Sequence, residues 1–213
     1  MDTRGMIRLF AALVFAFGVG FIVPAAALQY QVVRQDGTVA ILATGPFEPG
    51  DAARLSQVLR GAPGASLVIF QSPGGNAQEG MNVGRVIRQA GLATHLPRGV
   101  SCASACTYAF LGGRVRTADP GARYGVHMFS ISGHQPTLQA VQSVIRQHGE
   151  AGAAFVIQKM EEDTAQFAAK LAYYAIEMGV SLRLLDPNFN TSHNDIRWLT
   201  ADQLRRFNVV NTQ

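Results

Sequence analysis

Residues 66–77 read S-L-V-I-F-Q-S-P-G-G-N-A, and this stretch sets the architecture. The first six residues form a short, mostly apolar run, the pattern of a strand covered on both faces within a parallel sheet. Ser72-Pro73 and then Gly74-Gly75 follow it. Two glycines there let the chain turn sharply and leave amide groups uncovered by side chains, which an anion or oxyanion site requires. A tight strand-to-helix turn without function has the same look. From 77 to 90, Val83, Val86, Ile87 and Ala90 share one helical face, and Gly91 stands where a left-handed C-cap belongs. Strand, glycine turn and helix make half of a βαβ unit.

Working outward from it, the chain keeps alternating. On the N-terminal side, 30–34 and 39–44 read as strands around the hairpin signal Asp36-Gly37, and 52–60 as a helix with Asp51 placed to cap its first turn. On the C-terminal side the pattern predicts a strand over 93–96 and a buried helix over 103–111, starting near Ser104 and stopping at Gly112-Gly113. A strand follows over 124–129, then a largely helical stretch over 137–179, interrupted around Gly149 to Gly152. The chain closes with a capped helix running into a short strand over 198–210. No repeat or long linker interrupts the order, so a single α/β domain over 28–213 is expected.

The first 27 residues read as an address. Arg4 and Arg8 precede an uncharged apolar run over 9–23, then Pro24 and Ala25-Ala26-Ala27. This is the pattern of a secretory signal cleaved after Ala27, which would place the domain in the periplasm or outside the cell. The alternative is an uncleaved anchor holding the domain to the inner membrane on its periplasmic side, because nothing charged lies between Leu9 and Gln29.

With 48% hydrophobic and 15% charged residues, a 213-residue chain can bury one ordinary core without metals or many disulfides. The formal charge is +4, but the arginines are scattered, and no basic stripe with interleaved aromatics argues for nucleic acid. No phosphate-binding G-x-x-x-x-G-K-[ST] occurs, and His193-Asn194-Asp195 lacks further ligands at a metal-site spacing, so neither cofactor nor metal is expected.

The chemistry-bearing residues are few. Ser104 sits in S-C-A-S-A-C, a run of small residues that permits close backbone approach at the mouth of an apolar helix. The amide of Ala105, in that helix's first turn, would point the positive end of the dipole at a developing oxyanion. A serine there can also be a plain N-cap. His127, between Val126 and Met128, can be a satisfied core histidine or a base. Their combination matters, because a serine becomes nucleophilic only when a base takes its proton and a third group fixes that base. Cys102 and Cys106 bracket Ser104, and on a helix residues four apart lie about 6 Å apart along the axis, within reach of a disulfide. Such a bridge would brace the turn of the nucleophile; two free buried cysteines are the other reading.

Taken together, Gly74-Gly75 after Ser-Pro, Ser104 at a small-residue helix start, and His127 after a strand resemble the proteolytic subunit of Clp protease within the crotonase superfamily. The resemblance runs over about residues 66–129 and resumes in I-R-W-L-T-A-D-Q-L-R-R-F-N-V-V near the C-terminus. It implies a spiral of ββα units and assembly into trimers or larger rings. It also implies a serine peptidase with Ser104 as nucleophile, His127 as base, and the amides of Gly75 and Ala105 as oxyanion hole. Gly74 and Asn76 would border a strand edge that binds an extended peptide by adding it to the sheet. Asp195 lies where the family places its aspartate, although the simplest register puts Ile196 there; Asn194, Asp186 and Asn188 are the substitutes. Two rivals share the fold: a silent peptide-binding module and a crotonase-type thioester hydrolase. Export argues against the latter, since coenzyme A is cytosolic.

Overall fold

The structure, a computed structural model, describes residues 27–130 and 135–212. The leader reading falls on residues outside these, Ala27 apart. Among the described residues no helix is long and apolar enough to cross a membrane.

Two strands, β1 (Gln29–Gln35) and β2 (Thr38–Thr44), form the expected antiparallel hairpin. Both turn residues have positive φ, 48° at Asp36 and 76° at Gly37, the type I′ geometry that matches strand twist. Helix α1 (Asp51–Gly61) leads to β3 (Ala65–Gln71), the strand of the opening motif, and α2 (Ala77–Gln89) follows the glycine turn. Then come β4 (Ala93–Leu96), β5 (Ser101–Ala103), α3 (Ala105–Leu111), β6 (Arg116–Ala118) and β7 (Arg123–Val126). The C-terminal part holds the long α4 (Gln135–Glu177), the short α5 (Leu185–Phe189), β8 (Arg197–Trp198) and α6 (Ala201–Arg206).

The main sheet has the order β1-β2-β3-β4-β6, parallel from β2 onward, and β3 is central and buried on both faces as its apolar run requires. A second sheet, β5-β7-β8, pairs β5 parallel to β7 and β7 antiparallel to β8. One apolar cluster joins the sheets to the helices, from Leu28 through Phe70, Ile87 and Phe110 to Val209. Where α2 meets α3, a methyl on Gly80 would stand 2.3 Å from the Ala105 carbonyl, so the glycine lets the two backbones touch.

The C-terminal region is fastened by a buried arginine. Arg116, 1% exposed, donates to the carbonyls of Val209, Asn208, Gly113, Leu111 and Met178. It thereby ties the end of α3, the end of α4 and the final residues together. Burial, and next the neighbouring Arg88 charge, lowers its pKa to about 10.

Four sequence expectations change. Gly50, not Asp51, is the N-cap of α1, and the Asp51 carboxylate accepts from the Glu48 amide instead. The stretch over 103–111 is a strand end followed by a helix, because Ser104 takes a left-handed φ that no helix continues. The strand at His127 stops at Val126, where the chain leaves β7 and the Met128 amide bonds the Thr191 carbonyl instead. The last short strand precedes the final helix: Arg197–Trp198 pairs with β7, and Thr200 then caps α6 in a reciprocal capping box with Gln203. The expected break in the long helix falls at Gly149, whose φ of 55° and ψ of −132° are not helical.

Candidate active site

Ser104 occupies a sharp strand-to-helix turn. Its φ of 55° and ψ of −126° lie in a sparsely populated region for a residue with a side chain, at a cost on the order of 1–3 kcal/mol. Its side chain makes no capping hydrogen bond to α3, so its place at the helix start is not explained by capping. The main chain holds the turn instead: the Ser104 amide donates to the Gly125 carbonyl at 3.0 Å, and its own carbonyl accepts from the Thr107 amide and hydroxyl. A serine set on such a strained elbow, at the carboxyl end of a strand, has its hydroxyl projected out of the sheet.

The bridge between Cys102 and Cys106 spans this elbow, with Cα atoms 5.3 Å apart and both residues fully buried. It runs from β5 to α3 rather than along one helix, since the turn at Ser104 lies between them.

The glycine turn is pressed against the elbow. A methyl on Gly74 would lie 2.5 Å from the Ser104 Cβ, and one on Gly75 would lie 2.4 Å from the Phe47 carbonyl oxygen. Gly74 and Gly75 have φ of 110° and 132°, open to glycine alone. Phe47, for which the sequence gives no signal, holds the loop: its amide donates to the Gly74 carbonyl and its carbonyl accepts from the Asn76 amide. The Gly75 amide has no acceptor among the described residues. Ala105 is the first residue of α3, where an amide has no partner within its helix. Asn76 caps α2, its side chain accepting from the Glu79 amide.

His127 is one residue past β7 and half-buried. Ala103 pairs with Gly125 and the Ser104 amide donates to the Gly125 carbonyl, which sets the serine elbow against β7 two residues before His127. The Nδ1 of His127 is 2.8 Å from the Met128 carbonyl oxygen. Among the described residues, no hydrogen bond joins the Ser104 hydroxyl to the imidazole. Asp195 is exposed, and its carboxylate accepts from the Ile196 amide at 2.7 Å. Arg197 pairs with Val126, so Ile196 is the residue that register sets beside His127. Asn188 is buried and donates to the Tyr108 hydroxyl, whereas Asp186 and Asn194 are exposed.

A cleft of about 560 Å³ adjoins the elbow on the Ala103 side. Pro73, Val100, Ile196 and Trp198 give it apolar walls, Ser72, Ser101 and Gln71 add uncharged polar groups, and no charged side chain lines it. Gly125 makes room for the Trp198 ring, which also carries the Arg123 guanidinium 3.9 Å above its centroid. Among the described residues no cluster of ligand-type side chains could hold a metal ion.

No family model matches the chain. No curated protein matches it either. Solved structures do. ClpP1 from Listeria monocytogenes, in a mutant form, superposes with a TM-score of 0.51 at 15% identity, over 81% of this chain and 88% of that one. The membrane-bound stomatin-specific protease 1510-N gives a TM-score of 0.49 at 19% identity, over 80% and 75% of the two chains. An enoyl-CoA hydratase/isomerase family protein from Silicibacter pomeroyi gives 0.48 at 11%, over 86% and 74%. The ClpP1 superposition gives the chain a ClpP-like α/β fold.

Proposed function

We propose that this protein is an exported serine peptidase in which Ser104 attacks the peptide carbonyl and His127 takes the hydroxyl proton. The observation that carries the reading is the strained elbow at Ser104, whose side chain caps nothing and lies against the Gly74-Gly75 turn. Strain of this kind persists only where the surrounding structure over-determines it, and here a disulfide and two strand ladders do so.

In the proposed reaction the Ser104 oxygen bonds to the carbonyl carbon as His127 Nε2 accepts its proton. The amides of Gly75 and Ala105 receive the charge that develops on the carbonyl oxygen. The carbon–nitrogen bond then breaks, and the imidazolium returns the proton to the departing amine. Water, deprotonated by the same imidazole, releases the acyl group and restores the serine. The hydrogen bond between Ser104 and His127 would close only around substrate, as catalytic hydrogen bonds often do. Gly74 and Asn76 would border the bound peptide. The enzyme would act without ATP or cofactor, as a homo-oligomer, trimer or larger ring, in the periplasm or outside the cell.

A second reading, a peptide-binding module of the same fold, is favoured by the same open Ser104 to His127 contact. Fluorophosphonate labelling separates the two. The wild type should label and Ser104→Ala should not; a wild type that takes up no label while binding peptides would establish the module.

A further inference from the structure

We propose that the main-chain carbonyl of Met128, rather than a carboxylate, orients the catalytic imidazole, so that the protein carries a serine–histidine pair with a backbone third member. This rests on the peptidase reading above and goes beyond it in naming the group that fixes the base.

The carbonyl oxygen of Met128 lies 2.8 Å from His127 Nδ1. A carbonyl can only accept, so Nδ1 carries the proton and Nε2 keeps its lone pair, which is the tautomer a general base for Ser104 needs. The acceptor is itself held in place. The Met128 amide donates to the Thr191 carbonyl at 2.9 Å, and the Thr191 hydroxyl donates to the Pro187 carbonyl at 2.7 Å, which ties the segment to α5. One residue on, the Phe129 ring packs on Phe167 of α4 with centroids 4.2 Å apart. The carbonyl is thus fixed between two helices that do not belong to either sheet.

The carboxylate that could compete is turned away. Asp195 accepts from the adjoining Ile196 amide, and the side chain set over β7 at this point is that of Ile196, which packs on Gly125. Nothing in the reaction requires the orienting group to take a proton. When His127 accepts the serine proton on Nε2, the Nδ1–H to Met128 bond remains as it was, and the same proton later leaves with the amine.

The test uses the full chain labelled with ¹⁵N-histidine. His127→Gln identifies the His127 signals, and the nitrogen shifts report which ring atom is protonated. The expected result is the Nδ1–H tautomer in the wild type and the same tautomer in Asp195→Asn, with fluorophosphonate labelling of Asp195→Asn within about threefold of wild type. An Nε2–H tautomer, a tautomer change in Asp195→Asn, or a hundredfold loss of labelling in that variant at unchanged melting temperature would overturn the proposal. A wild type that does not label at all would sink the peptidase reading instead, and the ring-nitrogen shifts would still decide which group holds His127.

Discussion

Replacing Cys102 and Cys106 together by alanine removes a cross-link that closes a loop of sequence separation 4 around Ser104. In the chain-entropy picture so short a loop contributes about 2 kcal/mol, because a bridge restricts the unfolded chain by an amount that grows only logarithmically with loop length. That is close to the roughly 1–3 kcal/mol that the left-handed backbone at Ser104 costs. The bridge therefore offsets the strain of the elbow it spans. The double variant should lose about 2 kcal/mol, a fall in melting temperature of about 4–8 °C for a domain of this size. Since alanine also removes two buried sulfur atoms, the wild type under reductant, which keeps them, isolates the cross-link. It should fall by a similar amount, while the double variant should be indifferent to reductant. Labelling at Ser104 should slow more than stability alone accounts for, because a displacement near 1 Å costs about a hundredfold in rate. A double variant melting within a degree of wild type and labelling at the same rate would refute the reasoning.

Gly74→Ala should cut labelling by about a hundredfold, since the new methyl would stand 2.5 Å from the Ser104 Cβ and 2.8 Å from the Ala103 carbonyl; unchanged labelling kinetics would show that the glycine turn does not set the serine. Arg116→Leu should destabilise by about 4 kcal/mol, read as a fall of roughly 10 °C in thermal unfolding, because it strands buried carbonyls that Arg116 now satisfies, and a loss under 1 kcal/mol would contradict this. His95 is wholly buried with Nε2 unbonded, and burial pushes its pKa down although the Asp119 carboxylate pulls it up. The unfolded chain then takes up the proton first, so stability is full above the ordinary histidine value of about 6.5 and is lost as the pH falls toward the folded value. His95→Gln should flatten that acid slope in melting temperatures from pH 7.5 to 5, and an identical slope would remove His95 as its cause. Gly125→Ala would set a methyl 2.6 Å from the Trp198 ring; as this is the only tryptophan, its emission should shift to the red if β8 is pushed off, and an unmoved spectrum would count against the packing described.

What could be read in the sequence was what local patterns encode. The apolar run before Gly74-Gly75, the Asp36-Gly37 turn and the Gly149 break are each decided by neighbouring residues, and each forms the expected element. The three-residue strand Ser101–Ala103 was not legible, because small residues carry no β signal and its partner is β7, more than twenty residues on. The site residues themselves are named by their chemistry, yet their geometry depends on non-local pairing: the register of β8 against β7 sets Ile196 rather than Asp195 beside His127. The orienting carbonyl of Met128 has no sequence signal at all, since every residue has one. Arg116 reads as a surface charge until carbonyls of three segments, two of them distant in sequence, are seen to converge on it.

The two proposed oxyanion amides belong to different segments, Gly75 after β3 and Ala105 after β5, and their spacing is a property of the main chain. The Ser72 amide donates to the Ser101 carbonyl and the Ala103 amide to the Ser72 carbonyl, each at 3.1 Å, so the glycine turn and the serine elbow share one short ladder. A second pair of bonds, between Phe47 and the residues on either side of Gly75, fixes the far side of the turn. No side chain is needed to set the distance between the amides. Side chains are needed only to stay out of the way, which is why glycines stand at 74 and 80, where the chain presses on the elbow, and why the residues beside Ser104 are alanines. Backbone ladders hold at any sequence that keeps those positions small. A chain can therefore keep this arrangement while the rest of its surface changes.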